Sequence, residues 1–351
     1  MESVSSGIEL AQLQDAIKVA VDAKELRPII ISLNGDNTWL WSFPRPSKER
    51  EETGKAFFHI VFEPWLNGPT GLPGPVGPWL VYLNLAAPPA AATAEDIDDI
   101  VRRIETTWAA CNGRTFKQSE SPIVDAILLG FHYSDHLHEP TLRLFDKRIP
   151  VVLTPQGQNT VQALNHFEHI SLVHDMAPNA STWRSLQHSD GLPEWLSPIR
   201  LPGHHELNYL FALIWTRTSP DGQEEHQAIY QSPHGLRLDQ KPLQAFLQSS
   251  PQPQPLALFH GLKESRAMGM VNTYGADGGL RLWRMLGEPK HWIVSHNLPL
   301  EYAGVVMRML WVHDTPRTIE WALGREGSEA KGGAKTVPRV LHIGSGQASL
   351  L

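Results

Sequence analysis

Short apolar runs recur along the chain, and four of them end on a histidine. Ile123–Phe131 leads into His132, Asp135, His136 and His138. Ala228–Ser232 leads into Pro233-His234-Gly235, Leu256–Phe259 into His260, and Trp292–Ser295 into His296. None of these runs approaches the ~18 apolar residues that a membrane helix needs. Short runs bounded by turn residues read as strands buried in a sheet. Helical patterns lie between them, so the spacing predicts an α/β protein with sheets in the middle and helices outside. The C-terminal ends of such strands are where α/β folds hold ligands and metals.

The rest of the chain fits around these runs. Residues 1–26 read as an amphipathic helix, with Leu10, Leu13, Ile17, Ala20 and Val21 at helical spacing. Residues 27–43 read as a hairpin turning at Asn34-Gly35-Asp36-Asn37. A polar loop is expected over 44–55, then a strand that Pro64 ends, then a Gly/Pro loop over 67–78 that could cover a site. Thr93 should cap a helix reaching Ala110, with Ile97, Ile100, Val101, Ile104 and Trp108 on one face. A further helix is expected over 157–167, and helix and strand alternate again from Gly278 to His296. Residues 27–323 read as one domain and 324–351 as a partly flexible tail.

Composition narrows the function. The net charge of −7 argues against a nucleic-acid binder, which needs a basic face. The single cysteine, Cys111, precludes an intrachain disulfide or a multi-cysteine zinc site, and we expect it to be structural. MESVSSGIELAQLQDAIKV lacks the apolar core of a signal peptide, so a cytoplasmic protein without membrane partners is expected. Seventeen histidines leave metal chemistry open. A lone strand-end histidine is more often a capping or hydrogen-bonding residue, but four with an aspartate form a plausible zinc-type donor set.

One segment carries a resemblance. DAILLGFHYSDHLHEPTLRLFDKRIPVVLTP resembles the strand-loop-helix of the metallo-β-lactamase superfamily, where His-x-His-x-Asp-His precedes a strand beginning Ile-Pro-Val. Five other segments strengthen it: NGDNTWLW (34–41), EPWLNGP (63–69), SPHG (232–235), FHGL (259–262) and SHN (295–297). Together with YSDHLH (133–138) they resemble, in order, the motifs of a fungal group within that superfamily. The resemblance implies an αββα sandwich with a metal cleft at one edge and, on its fungal side, a role in specialised metabolism.

The chain departs from the family pattern where two imidazoles should stand. Those positions are Phe131 and Tyr133, and neither can ligate as imidazole. The resemblance therefore implies one surviving site: Asp135, His136, His234 and His296 around one zinc ion (or iron or manganese), or a metal-free cluster. Asp135, His136, Tyr133, His132 and His260 are the candidate catalytic groups, with Tyr133 as a phenolic acid. Trp79, Phe131, His138 and Lys263 are the candidate pocket residues. Trp39 and Trp65 are expected to pack the core, and His166 and His169 to lie on a helix. His204 and His205 are expected in an exposed turn, and Lys263 and Glu264 either to hold a substrate carboxylate or to pair. A two-metal hydrolytic clamp is unavailable to such a site. The expected function is an enzyme acting on a small organic molecule, by lyase, decarboxylase, cyclase or one-metal hydrolase chemistry. A conventional metal-dependent hydrolase and a non-catalytic small-molecule binder are the alternatives.

Overall fold

The computed structural model describes residues 15, 18, 19, 26–72, 76–117, 121–186, 188–219, 221–329 and 336–351. The expected helix over 1–26 lies almost wholly outside them. Two seven-stranded sheets face each other. The first runs, in spatial order, β20 (Ala348–Leu350), β1 (Ile29–Ser32), β2 (Trp39–Pro44), β3 (Phe57–Phe62), β6 (Ala126–Leu129), β7 (Val151–Leu153) and β8 (Ile170–Leu172). The second runs β19 (Val340–Leu341), β16 (His291–Ile293), β13 (Gln254–Phe259), β12 (Glu224–Gln231), β11 (Asn208–Thr218), β10 (Leu196–His205) and β9 (His174–Asp175).

Alternation along the strands makes four layers, because successive side chains of a strand point to opposite faces. Ile29 and Ile31 pack outward against helix α3 (Ala94–Cys111), while Ile30 packs inward between the sheets. In the second sheet Phe211 and Leu213 point inward; Leu210 and Ala212 point outward to α6 (Lys241–Leu247) and α7 (Gly275–Met285). The αββα sandwich expected from the resemblance is the observed architecture. Helix α3 begins where expected: Thr93 accepts from the Asp96 N–H, and Asp96 returns the bond to the Thr93 N–H.

Parallel pairing of β3, β6, β7 and β8, and of β12, β13 and β16, brings their C-terminal ends to one edge of the sandwich. Two small sheets flank that edge. One is β4 (Thr70–Gly71), β5 (Tyr82–Leu85) and β17 (Leu300–Ala303), accompanied by the short helices α2 (Gly77–Leu80) and α8 (Val305–Leu310). The other is β15 (Met270–Tyr274), β14 (Glu264–Ala267) and β18 (His313–Thr315).

Several expectations are corrected. The polar loop 44–55 contains a helix, α1 (Ser47–Thr53), which buries none of its residues and so left no apolar stripe to read. The helix after His138 is one turn, α4 (Glu139–Leu142), and the one expected over 157–167 is only α5 (Gln158–Ala163). Asn165 in left-handed conformation stops it, so His166 and His169 lie beyond the helix. The segment expected as a tail holds the end of α9 (Ile319–Glu329), and its last residues supply β19 and β20, one to each main sheet. Cys111 is exposed at the end of α3.

Candidate metal centre

Three histidines meet at the shared edge. His136 follows β6, His234 follows β12 and His296 follows β16, and each offers a ligand atom within 4.8 Å of the other two. Their ring centroids are 5.1 Å (136–296), 5.0 Å (234–296) and 6.3 Å (136–234) apart.

Each ring has one nitrogen engaged. His136 Nδ1 lies 2.6 Å from Glu63 Oε2, His296 Nδ1 lies 3.0 Å from Asp36 Oδ2, and His234 Nδ1 lies 3.0 Å from Thr273 Oγ1. Partners of this kind fix the ring and its tautomer and leave Nε2 for a ligand. His136 Nε2 is buried and has no hydrogen-bond partner. A buried orphan nitrogen is costly unless something fills its lone pair. The donor set suits one zinc ion, which takes imidazole nitrogen at about 2.0–2.1 Å.

The backbone is bent to make this possible. Glu63 (φ 47°) and His296 (φ 53°) are both left-handed, a conformation that is uncommon outside glycine and that concentrates at functional sites. Pro64 halts β3, and the left-handed turn swings the Glu63 carboxylate to His136. Asp36 ties the two sheets: its carbonyl accepts from His296 N–H at 3.1 Å, and its carboxylate accepts from Leu298 N–H at 3.0 Å. Gly235, φ 71°, lets the turn carrying His234 close against His260, whose Nε2 would stand 3.0 Å from an added Cβ.

The electrostatics follow from burial and charge. Burial opposes charging His136, but Glu63 and Asp135 outweigh it and push its imidazole up to about 9. Glu63 is raised, chiefly by burial. The pair is best seen as holding one proton between two fully buried groups. Burial works against ionised Asp36, yet His296, Lys263 and the Leu298 N–H hold it below the ordinary carboxylate value. His234 falls well below its usual value through burial and then through His296 and His136, so it is a neutral donor.

The other expected site residues divide. Asp135 stands beside the cluster, its Oδ2 3.6 Å from His136 Nε2, but it is not one of the three mutually close donors. Phe131 is buried, with its ring 5.2 Å from His136 and 6.2 Å from His234. Tyr133 lies against Phe131 at 4.6 Å, and burial raises its phenol, so it stays protonated. His132 turns to Glu206, 3.1 Å away. His260 is fully buried, holds Gly261 O at 2.6 Å and is pushed down to about 4 by burial.

Two expected pocket residues have their polar atoms engaged within the fold. His138 has both nitrogens engaged, by Thr141 Oγ1 at 2.8 Å and Pro69 O at 3.3 Å. Lys263 reaches Leu298 O at 2.9 Å and Asp314 at 3.3 Å, while Glu264 pairs with Arg266, so the two do not pair with each other. Trp79 stands exposed on α2, and Trp39 and Trp65 are core residues. His204 and His205 are exposed at the end of β10. Sequence reasoning missed Asp36 and Thr273 as orienting partners. Asp36 stood in view within Asn34-Gly35-Asp36-Asn37, whereas Thr273 lies 39 residues from its histidine and gave no signal.

The sandwich has solved counterparts. An isothiocyanate hydrolase from Delia radicum gut bacteria superposes with a TM-score of 0.50 and 14% identity, over 92% of this chain and 98% of its own. A possible metal-dependent hydrolase from Veillonella parvula DSM 2008 superposes with a TM-score of 0.50 and 10% identity, over 93% of this chain and 99% of its own. At such identities the likeness establishes the fold. No family model and no curated protein matches the sequence. No helix among the described residues is long and apolar enough to cross a membrane.

Proposed function

We propose that this protein is a metal-dependent hydrolase with a single-ion centre, acting on a small organic electrophile. The observation that carries this is the set of three imidazoles, each with Nδ1 engaged and all with a donor atom within 4.8 Å of the others. An ion bound there would polarise a carbonyl-type bond and lower the pKa of water towards 7. Glu63, Asp36 and Thr273 hold the rings in ligating orientation. Asp135 Oδ2, beside His136 Nε2, is placed to take a proton from an attacking water. Phe131, buried beside His136 and His234, keeps solvent from that flank of the cluster. Tyr133, protonated and 39% exposed, can donate to a leaving group.

A role in specialised metabolism rests on the sequence resemblance alone. Elimination or ring closure would use the same side chains, and product analysis separates them from hydrolysis.

The test is turnover of a panel of aryl isothiocyanates, aryl esters and lactones by zinc-loaded protein, its chelated form and His296→Ala. Turnover should fall by about 10²-fold or more on losing the ion or His296. Undiminished turnover after chelation would refute the metal-dependent reading. Binding without any product would favour a non-catalytic small-molecule binder.

A further inference from the structure

Aromatic groups stand beside the three imidazoles. Phe131 forms the inner wall and Tyr133, partly exposed, lies over it. Beyond them stands the β4–β5–β17 sheet. It is rooted beside the centre at two points: Thr70 donates to Ser134 O at 2.6 Å, and Leu298, just before β17, donates to the carboxylate that holds His296. Tyr302 of β17 donates to Asp314 Oδ2 at 3.4 Å, the carboxylate that also pairs with Lys263. The sheet's helices expose large apolar side chains: Trp79 is 78% exposed, Met309 72%, and Trp311, at the end of α8, 80%. Exposed apolar surface of this density marks an interaction site.

Charge sharpens the reading. The strands and helices of this sheet carry one acid, Glu301, and one base, Arg308, which cancel. The cations near the centre are engaged: Lys263 by Asp314, Arg200 by Asp175 and Arg237 by Asp239. Two carboxylates stand close to the centre, Glu206 beside His132 and Asp135 beside His136. A bound ion would attract an anion at the reacting end of a substrate, but a charge at its outer end would be desolvated against these apolar side chains and would face Glu206.

We infer, resting on the hydrolase reading above, that the substrate is an uncharged and largely apolar molecule. Its apolar part lies along Phe131 and Tyr133, and Trp79 and Trp311 meet its outer end. These two tryptophans are specificity residues with no part in the bond-breaking step.

Two matched esters test this on the zinc-loaded protein: 4-nitrophenyl pentanoate, which is neutral, and 4-nitrophenyl 4-sulfobutanoate, whose non-nucleophilic sulfonate makes it an anion of similar length. Corrected for their hydroxide-catalysed rates, kcat/KM should favour the pentanoate by about tenfold or more, within the range a binding site can discriminate. Trp79→Ser with Trp311→Ser should raise KM for the pentanoate severalfold, with kcat and zinc content kept and the sulfobutanoate little affected. Glu206→Gln should narrow the gap by improving the sulfobutanoate. Equal or better turnover of the sulfobutanoate would overturn the inference. If neither ester is cleaved above the chelated control, the hydrolase reading fails for esters and the substrate class is read by binding. Tryptophan quenching should then show tighter binding of butyranilide than of N-phenylsuccinamate, and the reverse or equality would overturn it.

Discussion

Glu63 and His136, 2.6 Å apart and fully buried, show how a single residue sets the centre. The carboxylate orients the ring and raises its basicity without occupying the ligating nitrogen. Glu63→Gln keeps the shape and removes the charge; zinc affinity by competition titration should fall about 10–100-fold with the fold intact. Unchanged affinity would mean that Glu63 only fills space. The same pair sets a pH dependence in the metal-free protein. The folded value of His136, about 9, lies above its ordinary value, so the charged ring stabilises the fold fully below about pH 6.5. That stabilisation is lost as pH rises from there through about 9. Thermal midpoints should therefore be lower at pH 9.5 than at 6.5, while zinc, which competes with the proton, should bind more tightly over the same interval. A metal-free midpoint that rises with pH would contradict this. The histidines themselves were legible because each follows an apolar run directly. Their orienting partners were not, because a threonine or lysine reads the same whether its polar atom meets a neighbour or solvent: Lys263 looked available and is engaged twice.

At the scale of elements, α3 and β3 are joined by one buried acid. Glu105 accepts from the Ala56 and Phe57 N–H groups at 2.7 and 2.9 Å and lies 2.9 Å from His59 Nε2. Glu105→Ala would orphan three buried donors at about 1–3 kcal/mol each, so urea denaturation should show a loss of several kcal/mol. A loss under about 1 kcal/mol would show that water or a neighbouring group replaces the acid. A long element with a repeating apolar face, such as α3, could be read from the sequence within a residue or two. Short ones could not. β19 and β20 span two and three residues and have no period to detect, so the segment that completes both sheets read as a tail. Helix α1 failed for the opposite reason: it is polar all round.

Across the whole molecule, two sheets are pinned together where Asp36, from the β1–β2 turn, holds His296 from the facing sheet. The centre is thus a joint between the halves of the sandwich, and a ligand bridging His136 and His234 would tie them further. The order of motifs along the chain was enough to expect this architecture. It could not show that Asp135 stands outside the trio of donors, because spacing alone does not fix which way a side chain turns in the loop after β6. The central claim is one ion held by three histidines from both sheets. Elemental mass spectrometry of protein purified without chelator and loaded with zinc measures it directly, with His234→Ala alongside. One equivalent of zinc per chain, lost in the variant, is the expected result. Two equivalents, none, or one that survives the loss of His234 would contradict it.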